Sequence, residues 1–377
     1  MSKLKVLHVI PYLKFGGAEN IVKILSKYLI EDGNDVNIMA YDCLDKEVVN
    51  SFERDSISLI ILSQTQLINL FPKNFSSLLW LIFNFNKIRS YDVIHCHLTF
   101  GSIFAFYIFM IRKVAFRSFP VIVQTNHSVG SPISQLKQKI YNYLFSFCDG
   151  LALISMNRFW QEIKQKKTFP LIKEIKNGAS IDAAKILNIE NQTKLKKKLS
   201  LDAPIVGTLG RLDRDRAPER FLHVFHSVAD KNQDINFVVC GDGECKGELI
   251  QYTKNNNFFN RTIFMSSTSE TESIFSLCDY YVTANVEDMT GLTGIESALC
   301  GTPVIAVQWQ KGYNGKDDWI WSSDDTEEVA SKICDDLDSP EHLKNLSNYQ
   351  LNYAKENLSV ESMSKDYIDL YRELLKN

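Results

Sequence analysis

The stretch VEDMTGLTGIESALCGTPVIAV (286–307) sets two acids, Glu287 and Asp288, just before a Thr/Gly run, and a third, Glu296, beyond it. Gly291, Leu292, Thr293 and Gly294 open a helical pattern, and free N–H groups at a helix start suit phosphate oxygens. Carboxylates on both sides of an anion-binding turn must then touch something other than phosphate. A second cationic feature follows an apolar run: in LGRLDRDRAPERFL (209–222), Arg211 and Arg216 lie between a strand pattern and a helix, a placement that suits a diphosphate. Arg214 and Arg220 alternate with Asp213, Asp215 and Glu219 and are expected to face solvent in local ion pairs. Gly16-Gly17, in PYLKFGGAEN (11–20), either bring backbone N–H groups to a phosphate or make a plain tight turn. They do not form GxGxxG, which argues against a nicotinamide or flavin enzyme. Gly241-Asp242-Gly243 is a turn that admits a ligand or simply reverses the chain. His127 follows VIVQTN and is placed to touch a ligand, or else caps a loop. His95-Cys96-His97 continues an apolar strand without an accompanying ligand cluster, so it is assigned to the core and no metal site is expected.

The elements that must position these residues are legible as apolar runs. LKVLHVI (4–10), DVNIMAY (35–41), ISLIIL (57–62), DVIHCH (92–97), VIVQTNH (121–127) and LALIS (151–155) alternate with amphipathic stretches. The rhythm restarts with IVGTL (205–209), INFVVCG (235–241), RTIFM (261–265), YYVTAN (280–285) and PVIAVQ (303–308). Nearly continuous hydrophobic strands between helices imply parallel sheets covered on both faces. The restart, in a chain of 377 residues, implies two doubly wound α/β domains. Open parallel sheets bind ligands at the carboxyl ends of their strands, where the motifs fall. The expected organisation is an N-terminal domain over 1–185, a polar, lysine-rich hinge over 186–203, a second domain over 204–355 and a closing helix over 356–377. That helix places Val360, Met363, Tyr367, Leu370, Tyr371 and Leu374 at three- and four-residue spacings.

Composition narrows the function classes. The eight cysteines are scattered without a CxxC pair, as small core residues of a reducing compartment would be. MSKLKVLHVI enters a strand pattern at once, with no secretory-signal pattern, and no uncharged apolar run reaches 18 residues. Residues 1–199 hold 26 Lys+Arg against 15 Asp+Glu, and residues 200–377 hold 16 against 30. A basic half suggests an anionic partner. Basic residues stand beside aromatics in FPKNFSSLLWLIFNFNKIRS (71–90), FYIFMIRKVAFRSF (106–119) and NRFWQEIKQKK (157–167), which favours an anionic membrane surface over nucleic acid. Solvated helix faces would give the same composition.

Together these segments resemble the retaining glycosyltransferases of GT-B fold, the group-1 (family 4) type that builds bacterial capsule, O-antigen or exopolysaccharide. The likeness runs through GGAEN (16–20), DVIHCH (92–97), TNH (125–127), NGASID (177–182), GRLDRDR (210–216), GDG (241–243) and the acid-x7-acid stretch ending GIESALCGTPVIA (294–306). It implies two Rossmann-like domains facing a central cleft. It assigns His127 to the transferred sugar, Arg211 to the donor diphosphate, Glu296 to the ribose hydroxyls and Asp288 to the sugar's reacting end. Gly16-Gly17 would approach donor and acceptor, and Gly241, Met265 and Ser266 would border the base. Asp288 stands where the family usually has Glu, unless Glu287 slips in by one residue. Arg216-Ala217 replace the usual Lys-Gly, Ser266 a frequent glycine, and VQWQKGYNGKDDWIW (307–321) a Gly-Gly-x-x-Glu loop.

The resemblance implies transfer from a UDP- or GDP-sugar to a saccharide or polyprenyl-diphosphate-linked acceptor at the cytoplasmic face of the membrane, with no other cofactor. Arg211, Arg216 and the helix start at Gly291–Thr293 would stabilise the leaving diphosphate without a metal. A nucleotide-sugar epimerase or hydrolase, or a non-catalytic subunit supporting another transferase, would share the same motifs.

Overall fold

The computed structural model describes residues 3–14, 16–64, 72–115, 120–127, 143–154, 171–186, 192, 196–197, 204–268, 270–285, 291–308 and 319–376. Glu287, Asp288, the 157–167 stretch and most of the expected hinge lie outside these residues. Contacts divide the chain into two units, Met1–Gly178 with Val360–Asn377, and Ala179–Ser359.

The first unit is built on seven parallel strands: β1 (Lys5–Leu13), β2 (Asp35–Cys43), β3 (Ser58–Ile61), β4 (Val93–His97), β5 (Val121–Asn126), β6 (Gly150–Leu153) and β7 (Leu171–Glu174). Their order is β3-β2-β1-β4-β5-β6-β7. β1 reads KVLHVIPYL with almost no polar alternation, because both of its faces are covered. Leu7, Val9, Ile94 and Cys96 pack on one face beneath Trp80, Phe100, Phe104 and Ile108. These come from two of the helices that follow α1 (Gly17–Glu31) and α2 (Lys46–Arg54), namely α3 (Lys73–Phe83) and α5 (Leu98–Ala115), with the short α4 (Phe85–Ile88) between them. The C-terminal helix, Val360–Lys376, belongs to this unit and buries Met363, Tyr367, Leu370, Tyr371 and Leu374, the stripe expected from its spacing.

The second unit holds six parallel strands: β8 (Ile205–Leu209), β9 (Asn236–Cys240), β10 (Thr262–Met265), β11 (Tyr280–Asn285), β12 (Val304–Gln308) and β13 (Ser322–Ser323). Their order is β10-β9-β8-β11-β12-β13. Between and after them come α6 (Glu219–Lys231), α7 (Lys246–Asn255), α8 (Thr271–Leu277), α9 (Leu292–Leu299), α10 (Thr326–Leu337) and α11 (Pro340–Asn357), which makes Val360–Lys376 helix α12. Phe221, Phe225, Phe237 and Phe258 anchor the core under α6, with the Phe225 and Phe237 rings stacked at 4.9 Å.

In both sheets, all of whose strands are parallel, the order in which strands are added reverses between the first and fourth strands in chain order. In such doubly wound sheets the crevice forms at the carboxyl ends on either side of that reversal. The switch point is β1/β4 in the first unit and β8/β11 in the second. β1 is followed by Gly16-Gly17, β4 ends at His97, β8 leads into Gly210-Arg211, and α9 is the next helix after β11. Two edge strands escape the sequence pattern: β7 reads LIKE, half polar, and β13 is two serines.

Candidate functional site

In the second unit the loops after β8 and β9 are locked together. Leu212 N–H donates to Asp242 O at 3.0 Å, and Cys245 N–H donates back to Leu212 O at 2.9 Å. Gly241, at φ +155, has no room for a side chain, because a Cβ there would stand 1.9 Å from Gly210 O. The loop after β10 joins the same assembly. Gly241 N–H donates to Met265 O at 3.1 Å, and the Asp242 carboxylate accepts from Ser267 N–H and from Lys246 Nζ, each at 2.7 Å. The Lys246 and Ser267 donors hold the Asp242 carboxyl down at about 2. Gly241, Met265 and Ser266 are therefore brought together by backbone contacts.

Arg211 leaves this assembly with its side chain half exposed and Nη1 2.5 Å from Asp213 Oδ2. Asp213 Oδ1 accepts from Glu244 N–H at 3.2 Å, so one carboxylate orients the arginine and ties it to the next loop. Arg216 is exposed and ends a single 3-10 turn. Ala217 after it is buried and left-handed, φ 45 and ψ 53, a conformation glycine adopts without strain and alanine does not. Arg214 is exposed, as expected, and its ion pair runs to Glu248 on α7 at 2.7 Å. The expectation for Arg220 is corrected: it is partly buried and donates to the carbonyls of Gln308, at the end of β12, and Asp324, just after β13.

α9 starts from Gly291, whose carbonyl accepts from Gly294 N–H at 2.9 Å. The N–H groups of Leu292 and Thr293 precede the first residues that a helical carbonyl can serve. Tyr281, buried near the start of β11, donates its hydroxyl to Leu209 O at 2.9 Å and so ties β11 to the carboxyl end of β8. Glu296, one turn into α9, is held by burial, and next by repulsion from Glu272, at a pKa pushed up to about 7. Glu272 is itself buried and accepts from Asp182 N–H at 2.9 Å, which brings the NGASID segment against this pair of acids. Nothing in the sequence pattern marked Glu272 for that role.

In the first unit, Gly16 is the N-cap of α1 in extended conformation. A Cβ there would stand 2.2 Å from Glu19 Oε2, so this glycine makes room for a carboxylate folded back on the helix start. Glu19 is buried and its pKa is raised by desolvation. Its Oε1 has no hydrogen-bond partner among the described residues.

The histidines depart furthest from the sequence expectation. His8 and His95 are register partners across β1 and β4, and His97 and Thr125 are partners across β4 and β5. Side chains two apart on a strand share a face, so His8, His95, His97, Thr125 and His127 collect on one side of the sheet. His8 Nδ1 lies 3.0 Å from His97 Nε2, and His97 Nδ1 lies 2.9 Å from His127 Nε2. His95 bonds Tyr371 Oη at 2.7 Å and Thr125 Oγ1 at 2.6 Å, and Thr125 Oγ1 meets Tyr367 Oη at 3.0 Å. Burial holds His8 down at about 3 and His127 at about 4, and pushes His95 and His97 well below the usual imidazole range. All four are neutral near pH 7. The expectation that His95 and His97 lack companions is thus corrected. The missed signal was a third histidine, His8, at an apolar position of the strand that pairs with theirs.

Comparison with known proteins follows the same division. Residues 15–162 match the family model described as Glycosyltransferase Family 4, and residues 190–352 match the model described as Glycosyl transferases group 1. Alpha-monoglucosyldiacylglycerol synthase of Streptococcus pneumoniae is 30% identical over 121 residues, 31% of this chain and 27% of that protein. The GPI3 subunit of phosphatidylinositol N-acetylglucosaminyltransferase of Saccharomyces cerevisiae is 21% identical over 307 residues, 79% of this chain and 66% of that protein. The chain thus spans about a quarter of the first relative's length and just under two thirds of the second's. The crystal structure of Anabaena HepE in complex with UDP-glucose superposes with a TM-score of 0.77 at 17% identity, over 98% of this chain and 100% of that one. At that identity the likeness concerns the fold. The chain belongs to the group 1, family 4 glycosyltransferases and has their GT-B fold of two Rossmann-like domains.

Proposed function

We propose that this chain transfers a sugar, with retention at the anomeric carbon, from a UDP- or GDP-sugar to a saccharide or lipid-linked saccharide acceptor in bacterial surface-glycan synthesis. The observation that carries this is the switch point of the second unit: Arg211 follows β8, and the open start of α9 follows β11. The HepE structure holds UDP-glucose, and the streptococcal and yeast relatives are named for sugar transfer to lipids.

In this scheme the bond from sugar C1 to the diphosphate oxygen breaks, and its electron pair leaves with the diphosphate. Arg211, Arg216 and the N–H groups at Leu292 and Thr293 are donors aimed where that charge develops. Such preorganised groups can do the work a metal ion does elsewhere. Glu296, as a carboxylate, accepts from the ribose hydroxyls. Asp288 orients the sugar and balances the oxocarbenium-like charge, and His127 binds a sugar hydroxyl. The acceptor hydroxyl joins C1 on the face the diphosphate leaves, and its proton passes to the departing phosphate oxygen.

No helix among the described residues is long and apolar enough to cross a membrane. We place the contact with a lipid-linked acceptor on the first unit. There the packed helices α3 and α5 expose Ile82, Phe83 and Met110, and exposed Lys87 and Lys113 lie in the same region of sequence. Binding to anionic vesicles should then weaken as salt rises, and binding indifferent to salt contradicts the placement.

The experiment is a panel of labelled UDP- and GDP-sugars incubated with the purified chain and lipid-linked acceptors. Release of nucleoside diphosphate coupled to a glycosylated product is expected for one donor. If no donor is turned over, the proposal fails.

A further inference from the structure

Three histidines form a single file whose far end is closed. His8 Nδ1 meets His97 Nε2, His97 Nδ1 meets His127 Nε2, and His8 Nε2 is buried with no hydrogen-bond partner among the described residues. His8 and His97 are fully buried, and His127, just past the end of β5, is partly accessible.

A neutral imidazole has one N–H and one bare nitrogen, so two linked rings must point their N–H groups the same way. The file therefore has two states. If the N–H groups point inward, His8 ends with a buried Nε2–H that no described residue accepts. If they point outward, His8 ends with a bare lone pair. Buried N–H groups without acceptors are the rarer and costlier defect. We infer that His8 and His97 are positioning residues that fix His127 in its Nδ1–H form, so that His127 meets the donor sugar as a hydrogen-bond donor. The last clause rests on the placement of His127 at the sugar proposed above; the polarity of the file does not.

The surroundings favour a file of neutral rings. Among the described residues, the His95 ring lies against His8 and His97, and it is joined by hydrogen bonds to Tyr371 and Thr125, and Thr125 to Tyr367, all uncharged groups. Burial keeps each imidazole uncharged, so no doubly protonated ring breaks the sequence of donors and acceptors. The competing use of His8, His95 and His97 is a shared metal ion, since their ligand atoms lie within 4.8 Å of one another. Both nitrogens of His95 and of His97 are already engaged at 2.6–3.0 Å, however, and one of His8 is too. An ion bound by three imidazoles would need one nitrogen from each, at about 2.1 Å. It would have to break contacts that the fold makes without it.

The test uses ¹⁵N-histidine NMR on the full chain, with His127 assigned from the spectrum of His127→Gln. We expect a protonated Nδ1 and a bare Nε2 on His127. His97→Asn sets an amide N–H where Nδ1–H stood and should preserve that state. His97→Gln reaches only the Nε2 position and should release His127 into a mixture of tautomers. In the transfer assay, His97→Gln should lose at least about tenfold more in kcat than His97→Asn, at matched thermal stability. A His127 protonated at Nε2 overturns the inference. So does equal behaviour of the two His97 variants, or a stoichiometric metal whose removal shifts these resonances. The expected tautomer together with a fully active His127→Ala would overturn the placement of His127 at the sugar and leave the polarity of the file standing.

Discussion

Arg211 Nη1 rests 2.5 Å from Asp213 Oδ2, and the other oxygen of the same carboxylate accepts from Glu244 N–H. The guanidinium is therefore oriented before any ligand arrives, by a residue anchored to the neighbouring loop. Arg211→Ala should lower kcat/KM for transfer by roughly two to three orders of magnitude, as loss of a preorganised partner of developing charge does. Asp213→Asn keeps the acceptor but not the charge and should cost about tenfold or less. Near-normal rates for Arg211→Ala would remove it from the site.

Glu296 should give the chain an unusual pH response. Its pKa is raised to about 7 by burial and by Glu272. A raised carboxyl contributes stability that is present below its unfolded value, about 4.3, and is lost as pH rises through about 7. Glu296→Gln should therefore gain in Tm over the parent at pH 8 and lose that advantage at pH 5. The carboxylate is also the better acceptor for ribose hydroxyls, so nucleotide affinity should rise through about pH 7 in the parent and stay flat in Glu296→Gln. Calorimetry at the two pH values reads both effects, and an identical pH response in the two proteins would contradict them.

The buried histidines act in the opposite sense. A histidine whose folded pKa is depressed contributes stability that is present above its unfolded value, about 6.5, and is lost as pH falls. With His8 near 3 and His127 near 4, acidification from pH 7 to pH 4.5 should lower Tm steadily. His97→Gln, which has one titrating ring fewer, should show a shallower slope. An equal slope would mean that these rings do not carry the acid response.

The register of the acidic motif is open to a direct comparison. Asp288 stands eight residues before Glu296, the spacing the family uses, with Glu287 one residue earlier. Asp288→Asn should abolish most transfer activity, and Glu287→Gln should leave most of it. The reverse result would assign the role to Glu287.

The sequence made the fold legible because hydrophobic period and length settle it: ten of the eleven apolar runs coincide with strands to within about two residues at either end, and LKVLHVI starts one residue before a β1 that runs on to Leu13. The stripe of α12 was equally plain. What the sequence hid depends on register. No local pattern says that His8 lies opposite His95, since that pairing exists only once β1 and β4 are neighbours in a sheet. The Glu272–Glu296 repulsion likewise joins α8 to α9. Arg220 looked like a surface ion-pair residue because its sequence neighbours are acids, yet its bonds go to backbone carbonyls far along the chain. Ala217 carries a lesson of the other kind. Its replacement of the usual glycine was visible in the sequence, but its left-handed backbone shows why glycine suits that position.

The central claim is that the second unit grips a nucleoside diphosphate with Arg211, the start of α9 and Glu296. Titrating UDP and GDP into the chain with a chelator present, for the parent, Arg211→Ala and Glu296→Gln, tests it most directly. The account predicts saturable binding of one nucleotide without added metal, weakened at least tenfold in each variant. Binding of neither nucleotide, or binding that both variants leave untouched, would contradict it.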